Sequence, residues 1–214
     1  MTNERLERVI DLVEIKDLLV REKSYRDSLN WTALREVWHP DASRTNINIS
    51  WYNGDIDGFI AGSKVMAEKG PKARHDINPV EVHFSSNNKK ASSESNVRIR
   101  NRTEIEGTWY DITSYGRFIN RLEKYQDQDQ DKGQGQKWYM VKFEAIYDNE
   151  TLTPTFPTDK IPSTRPPVEY RESYNVLAWM MERTGFPISQ DMPGLDRPET
   201  VERIMQEAFA WLKA

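Results

Sequence analysis

The 214-residue chain contains no cysteine, which excludes a disulfide framework and all thiolate chemistry. No run approaches the ~18 apolar residues of a membrane-spanning helix, so no membrane partner is expected. The opening residues Met1-Thr2-Asn3-Glu4-Arg5 carry no apolar signal region, and a cytoplasmic protein is expected. There is no HExxH and no close His/carboxylate cluster, so no metal is expected. Gly-rich phosphate loops, dinucleotide fingerprints and nucleophile elbows are missing too, and any chemistry should run without a cofactor. Neither charge dominates: 30 basic residues face 34 acidic ones, a formal −4. That balance argues against phosphate-backbone binding, which needs a basic face, so nucleic acid is not an expected partner.

The length suits one domain with a substantial extension. From Glu4 to about Leu29 the pattern is helical, with Leu6, Val9, Ile10 and Val13 at i, i+3, i+4, i+7 and Leu18, Leu19 and Tyr25 continuing the stripe. A short helix fits Trp31 to Trp38, ended by His39-Pro40-Asp41. Thr45 to Tyr52 alternates as a strand, Asn53-Gly54 is a turn, and a third helix spans about Asp57 to Lys69 before Gly70-Pro71. Four strands then follow: Pro79 to Ser85, Ala91 to Glu106, Trp109 to Tyr125 and Lys137 to Tyr147. Gln126 to Gln136, nearly free of apolar side chains, reads as a solvated hairpin loop.

After Asp148 the character changes. Six of the eleven prolines lie between Pro154 and Pro187, in a connector without periodicity. Helices are expected over Glu169 to Thr184, stopped by Gly185, and from Asp196-Arg197-Pro198-Glu199 onward. The expected fold is α+β: a strongly curved, mostly antiparallel sheet, a cone-like half barrel, around a long N-terminal helix. Residues 1–150 form that cavity domain, and 151–214 a Pro-rich connector with a two-helix extension that acts as a lid on the cavity or a brace on the outer sheet face.

Several pieces occur in a telling order: Tyr25-Arg26-Asp27, then Trp38-His39-Pro40-Asp41-Ala42, Trp51-Tyr52-Asn53-Gly54 with Phe59, and His75. Tyr115-Gly116-Arg117-Phe118, Arg121-Leu122-Glu123 and Lys137-Trp138-Tyr139-Met140 complete it. Over about residues 4 to 150 the chain resembles SnoaL-like members of the nuclear transport factor 2-like superfamily. Within that group, scytalone dehydratase, bile-acid dehydratase and hexachlorocyclohexane dehydrochlorinase use an Asp–His pair. The Asp lies near the end of the first helix, and the His precedes the first main-sheet strand. The resemblance places that pair at Asp27 and His75. Two positions depart: Glu22 stands where those enzymes tend to have Lys or Tyr, and Val97-Arg98-Ile99 replaces a second cavity histidine. The resemblance also implies a homo-oligomer, a trimer ahead of a dimer.

His75 is the candidate base, since a neutral imidazole titrates near working pH, and Asp27 would hold its tautomer. Glu22 is either a second acid–base group or an exposed member of the cluster Arg21-Glu22-Lys23. Tyr52 resembles the dehydratase phenol that polarises a carbonyl, or is core. Tyr25, Trp51 and Phe118 are candidate walls of a substrate site, and Phe156 or Tyr174 would sit near its mouth. Lys142 lies on an apolar strand face, where it pairs with Glu144 or reaches the ligand. His39 reads as structural, and His83 as pointing away from the cavity.

The expected activity is that of a cofactor-free lyase on a small hydrophobic or aromatic molecule. It would eliminate water or another leaving group, or cleave a carbon–carbon bond in a retro-aldol manner. An isomerase or cyclase with the same base, or a non-catalytic small-ligand-binding module, are the alternatives.

Overall fold

The computed structural model describes residues 3–70, 72–126 and 136–213. Helix α1 (Asn3–Asp27) is followed by the short α2 (Trp31–Glu36), strands β1 (Asn46–Ile49) and β2 (Tyr52–Gly54), and α3 (Ile56–Lys69). Then come β3 (Arg74–Phe84), β4 (Lys90–Ile105), β5 (Thr108–Tyr125) and β6 (Lys137–Pro154), and finally α4 (Asn175–Arg183) and α5 (Pro198–Lys213). The strands form one curved, unclosed six-stranded sheet in the order β2-β1-β6-β5-β4-β3. Among the described strands β1 and β6 pair in parallel, and the long strands are an antiparallel meander. No described helix is long and apolar enough to cross a membrane. The expected hairpin loop lies, apart from Gln126 and Gln136, outside the described residues.

The expected 45–52 strand is two strands, because Ser50 and Trp51 form the turn between β1 and β2. The N-terminal stripe is also reassigned. Leu6, Val9, Ile10 and Val13 are 46–61% exposed, whereas α1 buries Asp11, Ile15, Leu18, Leu19, Glu22, Lys23 and Arg26. The inward register is set at Asp11, whose carboxylate accepts from Trp138 Nε1 at 2.8 Å and pairs with Lys124 at 2.7 Å. Those two strand residues turn the helix so that its early apolar side chains face outward.

Inside the sheet lie Val97, Phe118, Leu122, Trp138, Met140, Phe143 and Tyr147, packed with Ile15, Leu18, Leu19, Trp38 and Phe59. Strand β6 carries two bulges against β5. At the first, Arg121 pairs with Lys142 and Leu122 with Met140, so Val141 is the extra residue. One extra residue reverses the facing of everything beyond it. Trp138 and Met140 therefore join the core, while Lys142 and Glu144 face outward.

The C-terminal segment does two things. Helix α5 lies on the outer sheet face, where Ile204 and Ala208 pack on Ile119 and Ile146. Helix α4 packs elsewhere: Met180 and Met181 meet Met66 and Ile112, with Trp51 and Leu177 beside them. It starts at Asn175, after a 3-10 turn over Glu172–Tyr174 that uses up the first part of the expected helix. Gly185, at φ +81°, ends it in the left-handed conformation that favours glycine. Asp196 lies two residues ahead of α5, and its carboxylate takes Arg171 through bonds of 2.5 and 2.6 Å.

Candidate active site

Read from Ile15, α1 points Leu18, Leu19, Glu22 and Arg26 inward, an i, i+3, i+4, i+7, i+11 series. The helix ends at Asp27, beside the start of β3. His75 is the second residue of β3 rather than a residue before it. Its ring Nδ1 lies 2.7 Å from Asp27 Oδ1, and its backbone N–H donates to Oδ2 at 2.7 Å. Arg74 donates to the Asp27 carbonyl at 2.8 Å. A carboxylate only accepts, so the imidazole carries its hydrogen on Nδ1 and leaves a lone pair on Nε2. Among the described residues Nε2 has no hydrogen-bond partner.

The electrostatics favour that neutral form. Burial pushes the His75 imidazole below its ordinary value, the Asp27 bond and charge oppose this, and Arg26 and Lys23 reinforce it. For Asp27, burial alone would raise the carboxyl, but the His75 hydrogen bonds and the charge of Arg26 hold it below its ordinary value. The pair at neutral pH is therefore an imidazole against a carboxylate.

His75 faces a cavity of about 80 Å³. Trp51, stacked on Phe59 at 5.3 Å, and the edge-to-face pair Phe118 and Phe143 at 4.7 Å form apolar walls. Leu177 and Met181 of α4 close another side. The Tyr147 hydroxyl accepts the Ser50 N–H at 3.1 Å, and burial pushes its pKa up to about 12, so it stays neutral. Two cations line the same space, Lys23 and Arg26.

Of the residues singled out in the sequence, His75, Trp51 and Phe118 line this cavity, with Asp27 behind His75. The others lie elsewhere. Glu22 is buried beside Lys23, with Nζ 2.7 Å from Oε2; this neighbour contact lacks hydrogen-bond geometry, and neither carboxylate oxygen has such a bond. The Tyr52 hydroxyl donates to the Asp55 carbonyl at 2.8 Å. It lies over Gly58, where a Cβ would stand 2.2 Å from it. Tyr25 lines an outer groove with residues of α2 and the start of β6. Lys142 pairs with Glu144 at 3.0 Å on the outer face, near Glu207 of α5. Phe156 is 65% exposed in the connector, whereas Tyr174 is buried against Tyr147. His39 is buried between the Asp41 N–H and Arg44, and His83 faces Glu81 outside the cavity.

Lys23, Arg26, Tyr147, Leu177 and Met181 were not expected at the site. The two cations were legible in principle: counting the helix face from Ile15 instead of Leu6 turns Arg26 inward. The α4 residues had no such signal, because only tertiary packing brings them to the cavity.

The chain is similar to known proteins in sequence and in fold. An uncharacterized protein of Emericella nidulans is 27% identical over 196 residues, covering 87% of this chain and 76% of the relative. A solved structure from Novosphingobium aromaticivorans, assigned as a scytalone dehydratase, superposes with a TM-score of 0.52 at 14% identity, covering 74% of this chain and 96% of its own. A hexachlorocyclohexane dehydrochlorinase (LinA) Type2 superposes with a TM-score of 0.53 at 14% identity, covering 74% and 98%. Identities this low speak for the fold alone. The SnoaL-like domain profile matches residues 7–144, and the chain belongs to the SnoaL-like domain family.

Proposed function

We propose that the protein is a cofactor-independent lyase acting on a small, largely apolar molecule, with His75 as general base and Asp27 as its positioning partner. The observation that carries this reading is the His75–Asp27 pair on a mostly apolar cavity, with Nε2 bonded to no other described residue. Nε2 takes a proton from substrate carbon or oxygen, and the electron pair left behind forms the new double bond as the leaving group departs. The imidazolium, steadied by Asp27, then returns that proton to the departing group, so no outside reagent is needed. Water leaves in an elimination, or a carbon fragment in a retro-aldol cleavage. The named activities of the two superposed structures support elimination as the reaction class. We place the chain in a homo-oligomer, whose mass light scattering would read.

The test is a screen of wild type and His75→Ala against aromatic alcohols, diols and β-hydroxy ketones, with product masses separating loss of water from carbon–carbon cleavage. The expected result is a product from wild type and a loss of at least ~10²-fold in a folded His75→Ala protein. Near-normal turnover by that variant would sink the mechanism.

A further inference from the structure

The cavity holds two positive charges that the acid–base pair does not consume. Lys23 and Arg26, three residues apart on α1, are only 5% and 9% exposed. A guanidinium has five N–H donors and no way to lose its charge in a protein. Among the described residues, the single side-chain hydrogen bond of Arg26 runs from Nη2 to the Met66 sulfur at 3.9 Å, a weak acceptor. Asp27 is next in sequence, but both of its carboxylate oxygens are held by His75. Lys23 is little better served. Its Nζ lies 3.7 Å from the centroid of Phe143 and 4.8 Å from that of Phe118, and among the described residues its ion-pair contact is Glu22 Oε2 at 2.7 Å.

A buried cation without oxygen acceptors is costly, and a purely structural one would be expected to carry a full set of partners. The charges on Glu22 and Asp27 balance those on Lys23 and Arg26, but Arg26 lines the cavity and its donors meet no oxygen acceptor among the described residues. A planar fork of N–H donors matches a carboxylate with two parallel bonds. Around it, Trp51, Phe59, Phe118 and Phe143 supply faces for an apolar body, and His75 lines the same space.

We infer that Arg26, with Lys23 beside it, forms a carboxylate-binding subsite, and that the ligand of this cavity is a small monocarboxylic acid with an apolar or aromatic body. This deepens the proposed reading by naming the substrate class, and it rests on that reading only for the turnover of the bound acid. The carboxylate on Arg26 anchors one end of the ligand and leaves the adjoining carbons facing His75.

The experiment is calorimetric binding to the full chain of benzoate, phenylacetate and 3-phenylpropanoate, each beside its uncharged amide. Replacing a neutral contact by a charge-assisted pair on a buried guanidinium should favour at least one acid over its amide by about 10- to 100-fold. Arg26→Met should erase that preference, Lys23→Met should reduce it, and His75→Ala should keep it. Should Arg26→Met fail to fold, the acid–amide comparison in wild type and Lys23→Met still decides. Equal affinity for acids and amides in wild type, no saturable binding of any acid, or a preference unchanged in folded Arg26→Met would overturn the subsite. An acid preference without turnover of any acid would instead count against the lyase reading and leave the subsite standing. Turnover of neutral ketones without an acid preference would do the reverse.

Discussion

At His75, burial and a neighbouring carboxylate act in opposite senses. Asp27 favours the imidazolium, while desolvation and the charges of Arg26 and Lys23 favour the imidazole. Asp27 matters for geometry as much as for charge, because its two oxygens grip the ring and the backbone of the same residue. Both of those contacts come from donors. An amide at position 27 must turn its NH2 toward one of them, losing a bond and releasing the ring orientation. Asp27→Asn should therefore lower turnover by at least ~10²-fold while the protein stays folded, as measured by steady-state kinetics beside circular dichroism. A folded variant with wild-type turnover would contradict that role. The pair was legible through the family resemblance, which matches Asp27 and His75 to the Asp and His of the related dehydratases. Arg26 and Lys23 were not recognised, because a charged side chain on the inner face of a helix looks from sequence like a solvated one.

At the scale of elements, β6 is the strand that ties the site together. The alternation read from the sequence stops at Tyr147, but the strand runs to Pro154. The second bulge, between the pairs Tyr115–Asn149 and Gly116–Tyr147, breaks the pattern there. Beyond it Glu150 points inward, accepting the Leu177 N–H at 2.8 Å and the Ser114 hydroxyl, and so satisfies the first turn of α4. Burial pushes the Glu150 carboxyl up to about 7 from an ordinary 4.5, against the pull of Ser114 and the Leu177 and Val176 amides. Between those two values the folded chain holds a proton that the unfolded chain has released. The contribution of Glu150 to stability therefore falls as pH rises through that window and is level above it. The full shift corresponds to an upper bound of about 3 kcal/mol. Glu150→Gln should have a higher urea midpoint than wild type near pH ~8, a gap that closes toward pH ~5. A variant less stable than wild type at the higher pH would show that the carboxylate contributes more as a helix cap than it costs in burial.

Across the whole molecule, the lid and brace read as alternatives are two different helices. Val201, Ile204, Met205, Ala208 and Leu212 of α5 form a helical apolar stripe in the sequence, but the surface that receives it depends on the β6 register. Once Val141 is an extra residue, Ile146 faces outward and α5 has a place to dock. Met181 of α4 instead lines the cavity. Truncating one side chain in each helix separates the roles. Ile204→Ala should cost about 2–4 kcal/mol of unfolding free energy and leave ligand affinity unchanged. Met181→Ala should weaken ligand binding as well as stability. Paired denaturation and binding curves check this, and equal effects of both variants on affinity would contradict the division.

The most direct test of the poised base needs no substrate. The chain has only three histidines, so their ring nitrogens can be resolved by 15N NMR across a pH titration. His75 should show hydrogen on Nδ1 and an unprotonated Nε2 at neutral pH, with a titration midpoint below that of an ordinary histidine near ~6.5. A midpoint above that value, or a hydrogen on Nε2 in the neutral ring, would contradict the assignment of His75 as a base held ready by Asp27.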